Sequence, residues 1–170
     1  MNHADSSVFA GDVVPFRRRV FISVGSLHFP FERLVRAAGR LEAYDLVAQH
    51  GTGNPPPGAV VAMPYLSYDE MLEQMMRADI VVCHAGVGTV ILAMQLGHTP
   101  VVMPRLRRFG ETVDDHQLAL VRRLGTQGLV IAIEHGDELE AAVRRVPARR
   151  EVRTPRRTAL QRAVRDALIA

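Results

Sequence analysis

The stretch His84-Ala85-Gly86-Val87-Gly88-Thr89 holds most of the chemistry this sequence offers. An apolar, β-branched run, Ile80-Val81-Val82-Cys83, leads into it. Apolar residues at helical spacing follow as far as Leu96, with Gly97 as a stop signal. A buried strand therefore runs into a glycine turn, and the turn opens a helix. The free N–H groups of a helix's first turn, aided by the helix dipole, favour a negative charge. Gly86 and Gly88 have no Cβ, so a ligand can approach the backbone closely. The chemistry is that of a phosphate or diphosphate cradle; the plainer alternative is a tight βα turn whose glycine serves packing. The dinucleotide fingerprint would need a further glycine where Ile91 stands. A P-loop is excluded because the chain contains no lysine.

The other chemistry-bearing residues lie further along. His84 ends the apolar run, and His116 stands beside Asp114, Asp115 and Gln117. Each histidine reads either as a hydrogen-bonded structural residue or as a site residue. No DxD motif occurs, and Asp115 reads as the cap of a helix from His116 rather than as a metal ligand. Arg105, Arg107 and Arg108 crowd an irregular loop, Pro104 to Asp114, which is a solvated face by default. Cys83, the one cysteine, reads as a small core residue, excludes an internal disulfide and fits a reducing cytosol.

The elements that must position these residues follow from periodicity. Strands are expected at Arg19 to Val24, Asp45 to Gln49, Ala59 to Met63, Ile80 to Cys83, Thr99 to Met103 and Gly128 to Ile133. Helices are expected from Phe31 to about Ala43, Tyr68 to Arg77, Val87 to Leu96, His116 to about Leu124, and Asp137 to Val146. Ser67 and Glu70 form a capping box before the second of these. Strands alternating with helices predict an α/β, Rossmann-like, mostly parallel sheet covered on both faces. Ligands in such sheets bind beyond the carboxyl ends of the strands. That gathers three loops: Gly25 to Phe29, His84 to Thr89, and Pro104 to Gln117.

Composition bounds the rest. The 170 residues are divided into a polar leader (1–16), a folded domain (17–146) and an arginine-rich tail (147–170). The net charge of +3 arises at the C-terminal end, where nine arginines lie between Arg144 and Arg165. The tail's apolar stripe reads as a helix on its own domain, a partner-docking helix, or one lying on an anionic membrane. With aromatics at 5% and no zinc-finger or RNP motif, no nucleic-acid partner is expected. No apolar run is long enough to span a membrane, and no secretory signal is visible.

The segments Val20 to Ala37, Ala78 to Val90 and Leu96 to Gln117 together resemble glycosyltransferase family 28. The similarity is to the C-terminal, nucleotide-sugar-binding half of the GT-B fold, over roughly Val20 to Val146. It is closest to the soluble subunit of two-subunit enzymes that build exopolysaccharides or extend dolichol-linked glycans. The resemblance implies that the cradle takes the diphosphate of a UDP-sugar. Gly25 and Ser26 would lie near the diphosphate or sugar, and the turn His84, Gly86, Val87, Gly88 and Thr89 would supply N–H groups. Asp115, His116 and Gln117 would reach the donor sugar, and Tyr65 would lie beside the uracil. One departure is Leu92, where many members carry a ribose-binding glutamate.

The expected activity is inverting transfer of a sugar, of GlcNAc or glucuronate type, to a lipid-linked glycan acceptor. A helix N-terminus plus a cationic side chain can stabilise the leaving diphosphate, so neither metal nor cofactor is expected. His84 and His116 are the candidate catalytic residues. A loop of this length is often a lid and arginine pairs carboxylates, so Arg105 is expected on the donor. The acceptor base would come from a membrane-anchored acceptor-binding subunit, which recruits this cytoplasmic chain to the inner face of the membrane. The rival reading is a non-catalytic UDP-sugar-binding or scaffolding subunit; a UDP-sugar epimerase is a further, weaker one.

Overall fold

The computed structural model describes residues 17–151. The leader and most of the arginine-rich tail lie outside them. The described chain forms one six-stranded sheet: β1 (Arg19–Ser23), β2 (Asp45–Gln49), β3 (Val61–Met63), β4 (Ile80–His84), β5 (Val101–Met103) and β6 (Ile131–Ala132). The spatial order is β3-β2-β1-β4-β5-β6, and every neighbouring pair is parallel. Val20 of β1 lies opposite Leu46 of β2 on one side and Ile80 of β4 on the other. The α/β, parallel, Rossmann-like expectation is met.

Side chains alternate across the sheet and so divide the core in two. Val20, Ile22, Leu46, Ile80, Val82 and Val101 pack with Leu34, Val35 and Ala38 of α1 (Glu32–Ala38) and with Ala142 and Val143 of α5 (Leu139–Arg144). On the opposite face Phe21, Val47 and Val81 meet Met75 of α2 (Tyr68–Arg77) and Leu92, Ala93 and Leu96 at α3 (Val87–Gln95). Cys83 and Val102 continue that face toward Val121 of α4 (His116–Thr126). β4 is buried along its whole length, as its unbroken apolar run demands. The Cys83 thiol, with no exposed surface, is pushed up to about 12 by burial.

From β1 the chain moves outward to β2 and β3; from β4 it moves the other way, to β5 and β6. The crevice between β1 and β4 is thus the topological switch point, where ligands of open α/β sheets bind.

Local signals explain most element ends. Ser67 accepts from the Glu70 N–H while Glu70 accepts from the Ser67 N–H, so the expected capping box is present. Gly97, at φ +85°, closes α3 with N–H bonds from Gly97 to Met94 O and from His98 to Ala93 O, the paired bonds of a glycine-terminated helix. Arg149 donates to the Leu96 and Met76 carbonyls, capping the ends of α3 and α2.

Some expected bounds are corrected. α1 stops at Ala38, not Ala43: beyond it the Arg40 and Leu41 N–H groups donate only three residues back, to Ala37 and Ala38, and the α-helical ladder is not continued. β3, β5 and β6 are shorter than their apolar runs, and a 3-10 turn, Gly136–Glu138, precedes α5. β3 is the exposed edge of the sheet, with Val60 and Val61 open to solvent.

Candidate donor site at the switch point

The glycine turn lies where the sequence put it. Gly86 is the N-cap of α3, and Val87, Gly88 and Thr89 form its first turn. Val87 and Gly88 are exposed and Thr89 half-buried, so this first turn, whose N–H groups have no partner within the helix, is open beside the switch point. A Cβ on Gly88 would meet no atom within 4 Å. Gly88 therefore leaves an uncovered approach to the backbone.

Gly25 and Gly86 have a different reason to be glycine. A Cβ on either would collide with the His84 imidazole, which lies against both. Gly25 also needs its φ of +81°, a left-handed conformation that side chains rarely adopt. The space expected for a ligand at these two positions is filled by a ring of the protein itself. His84 ends β4, is buried, and has no partner for its Nδ1. Burial first, and the charge of Arg105 second, bring its pKa down to about 4 against the opposing pull of the Ser23 backbone. At neutral pH it is an uncharged imidazole wedged between the loop after β1 and the turn before α3.

Arg105 is the main correction. It was expected to face the donor from an exposed loop, yet it is wholly buried. Its guanidinium donates to the carbonyls of Phe29 (2.8 Å), Glu111 (3.0 Å) and Val24 (2.8 Å) and stacks 4.7 Å from the Phe31 ring centre. Its Nε is buried without a partner, so no donor group is left facing solvent. Burial pulls its pKa to about 10, opposed by Glu111, and leaves it charged at neutral pH. Arg105 thus fastens the loop after β5 to the loop after β1.

Arg33 does the same from α1. It forms a bidentate pair with Glu111, at 3.1 and 2.8 Å, and donates to the Pro104 and Glu134 carbonyls. Glu111 also accepts from the Leu106 N–H at 3.0 Å. The loop from Pro104 to Asp114 is therefore anchored rather than open, with a 3-10 turn, Arg107–Phe109, at its tip. Phe109 stays exposed between the guanidinium groups of Arg33 and Arg108.

At α4 the three motif residues separate. Asp115 holds the N-cap position but does not cap; its carboxylate accepts from the Arg107 N–H at 2.8 Å. Asp114 instead accepts from the His116 N–H and ring, contacts that lower its pKa. The His116 side chain is 69% exposed. Gln117 is buried, and its Oε1 accepts from the Arg105 N–H at 3.0 Å. Ser26 and Tyr65 are exposed on the loops after β1 and β3. Leu92 points into the core beside Phe21 and Val81 and is 8% exposed. Among the described residues, no group of three or more His, Cys, Asp or Glu could hold a metal ion.

The residue that sequence reasoning passed over is Gln49, at the end of β2. It is buried and makes four hydrogen bonds, three of them to the Gly25 peptide groups and Ser23. The available signal was a polar residue closing a strand that points at the same edge of the sheet as Gly25.

A family model described as "Glycosyltransferase family 28 C-terminal domain" matches residues 19–168. The chain belongs to that family. One curated relative of this family 28 domain is a UDP-N-acetylglucosamine–N-acetylmuramyl-(pentapeptide) pyrophosphoryl-undecaprenol N-acetylglucosamine transferase of Sorangium cellulosum (strain So ce56). It is 27% identical over 117 residues, which are 61% of this chain and 27% of the relative. Among solved structures, the glycosyltransferase of kitacinnamycin superposes with a TM-score of 0.56 at 21% identity, covering 84% of this chain and 38% of that one. The calicheamicin glycosyltransferase gives 0.55 at 16% identity, covering 76% of this chain and 34% of that one. SnogD of Streptomyces nogalater gives 0.53 at 19%, covering 78% and 38%. The family 28 domain thus has the glycosyltransferase fold and spans about a third of the length of these proteins.

Proposed function

We propose that this chain is the donor-binding, catalytic subunit of an inverting glycosyltransferase that moves a sugar from a UDP-sugar to a lipid-linked acceptor in glycan synthesis. The observation that carries the reading is the uncovered first turn of α3 at the β1/β4 switch point, with Gly88 open to approach. Backbone N–H groups there, fixed before the reaction, would meet the charge that grows on the departing diphosphate. His84 would serve as a neutral hydrogen-bonding group behind that turn, not as a cation. His116, exposed at the head of α4 and oriented by Asp114, is the freer of the two histidines to meet a sugar hydroxyl. Ser26, Val87 and Thr89 complete the donor contacts, with Tyr65 toward the base, while Gln117, buried and bound to the Arg105 N–H, holds the loop behind them. Because Arg105 is engaged by carbonyls, the argument for a glucuronate donor loses its residue. The name of the Sorangium relative favours a GlcNAc donor and a polyprenol-linked acceptor. Diphosphate stabilisation is proposed to need no metal.

Leu27, Phe109 and Val113 on the loops after β1 and β5, and Val87 at the head of α3, stand exposed. An apolar rim of that kind suits a second wall that closes the cleft and brings the acceptor base. In this proposal a membrane-anchored acceptor-binding subunit supplies that wall and brings the chain to the inner face of the membrane. Calorimetry with UDP and UDP-GlcNAc, followed by transfer assays with and without a membrane fraction and with and without EDTA, tests each part. Nucleotide binding by the lone chain with activity only beside the membrane fraction is expected; full activity alone removes the partner, and loss in EDTA removes the metal-free mechanism. One observation favours the scaffolding alternative: Leu92, at the position where many family members carry a ribose-binding glutamate, is buried in the core. Absence of any UDP binding would decide for it.

A further inference from the structure

Gln49 sits under the site without facing it. Its Oε1 accepts from Ser23 Oγ (3.0 Å) and the Gly25 N–H (3.0 Å); its Nε2 donates to the carbonyls of Gly25 (3.0 Å) and Pro64 (2.8 Å). One carboxamide thus uses two acceptor sites and both donors. Its orientation is dictated, because an N–H must meet the oxygen and two carbonyls must meet the nitrogen. The two flanking peptide groups of Gly25 are held from the same side chain, and the loop after β3, which carries Tyr65, is joined to them through Pro64. Gly25 in turn forms one wall against the His84 ring, and Gly86 forms the other. Arg105 grips the same loop at Val24 and Phe29 from the opposite flank.

We propose that Gln49 is the positioning residue of the donor site: its carboxamide sets the Gly25 peptide, and through it the seat of His84 behind the first turn of α3. This rests on the donor-site reading. An apolar side chain of similar length keeps the packing and removes the four bonds; a glutamate keeps the acceptors and turns a carboxylate toward two carbonyls. Both variants leave every group that would touch a nucleotide chemically unchanged, so their effect is on geometry.

The test compares the wild-type chain with Gln49→Met and Gln49→Glu, by UDP calorimetry and by hydrogen exchange of individual amides. Expected are about tenfold weaker UDP binding in both variants and faster exchange at the Gly25 amide, with Phe21 and Val82 amides unmoved. In the active complex the donor KM rises about tenfold and kcat falls less than twofold. A merely structural loss would instead speed exchange across all core strands together. Should the Met and Glu variants not fold, Ser23→Ala, which removes a single bond to Oε1, carries the same test with a two- to threefold change. UDP affinity unchanged in the folded variants overturns the proposal alone. No UDP binding by the wild type overturns the donor-site reading, and this proposal with it.

Discussion

The buried state of His84 makes stability depend on pH in a way that isolates one residue. Above pH about 6.5 the imidazole is neutral whether the chain is folded or not, and the contribution to stability is complete. Below that, the unfolded chain takes up a proton that the folded chain refuses until about pH 4. Stability is therefore lost as the pH falls through this window, at about 1.4 kcal/mol per unit. The loss attributable to His84 is about 2 kcal/mol by pH 5 and about 3 kcal/mol by pH 4. For a domain of this size the pH 5 value lowers the melting temperature by about 6 °C. Urea denaturation of the wild type and of His84→Asn at pH 7, 6 and 5 measures it. The variant is less stable at pH 7, because the seat between Gly25 and Gly86 is left part empty. The gap between the two proteins narrows by about 2 kcal/mol on going to pH 5. His98, whose pKa is also lowered by burial first, contributes in the same sense to both proteins and cancels. Parallel stability curves, or an imidazole resonance of His84 that titrates near pH 6.5, would refute the reasoning.

Four more outcomes are expected. Gly88→Ala meets no neighbour and gains helix propensity, so stability holds or rises by up to about 1 kcal/mol while UDP affinity falls; Gly86→Ala displaces the His84 ring and costs about 1–3 kcal/mol. Thermal melts beside calorimetry separate the two, and equal UDP binding by Gly88→Ala counts against the cradle. Glu111→Gln breaks a pair whose side chains are 14% and 4% exposed, at a cost of about 3 kcal/mol, and increases proteolysis in the loop from Pro104 to Asp114. Cys83, with its thiol raised to about 12, stays unlabelled by a thiol reagent at pH 8 until denaturant is added.

What was legible in the sequence was whatever depends on neighbours along the chain. The apolar run Ile80 to Cys83, the glycine turn after it and the Ser67 capping box each announce themselves within a few residues, and each is found in place. What was not legible depends on groups far apart in sequence. An arginine in a polar loop gives no local hint that two distant carbonyls, of Val24 and Phe29, hold its guanidinium together with the Glu111 carbonyl of its own loop. Asp115 had the residue type and position of a helix cap, and lost that role to Asp114 because the Arg107 amide folded back within reach. The helical spacing that runs on to Leu41 is real, since Leu41 is buried, but the chain reaches it through i→i−3 turns rather than through more α-helix. The glycines of the turn were found for the wrong reason at Gly86, whose neighbour is a side chain two residues back.

The open flank of β3 bears on how the molecule behaves at high concentration. An unpaired outermost strand is a template on which a second chain can add its own backbone. Here the template has three residues, Val61–Met63, with Pro55, Pro56 and Pro57 ahead of it and Pro64 directly behind. Proline has no N–H to give, so an incoming chain finds few successive peptide groups before the ladder is interrupted. The exposed valines at 60 and 61 would otherwise invite stacking into fibres; the flanking imino acids keep that route short.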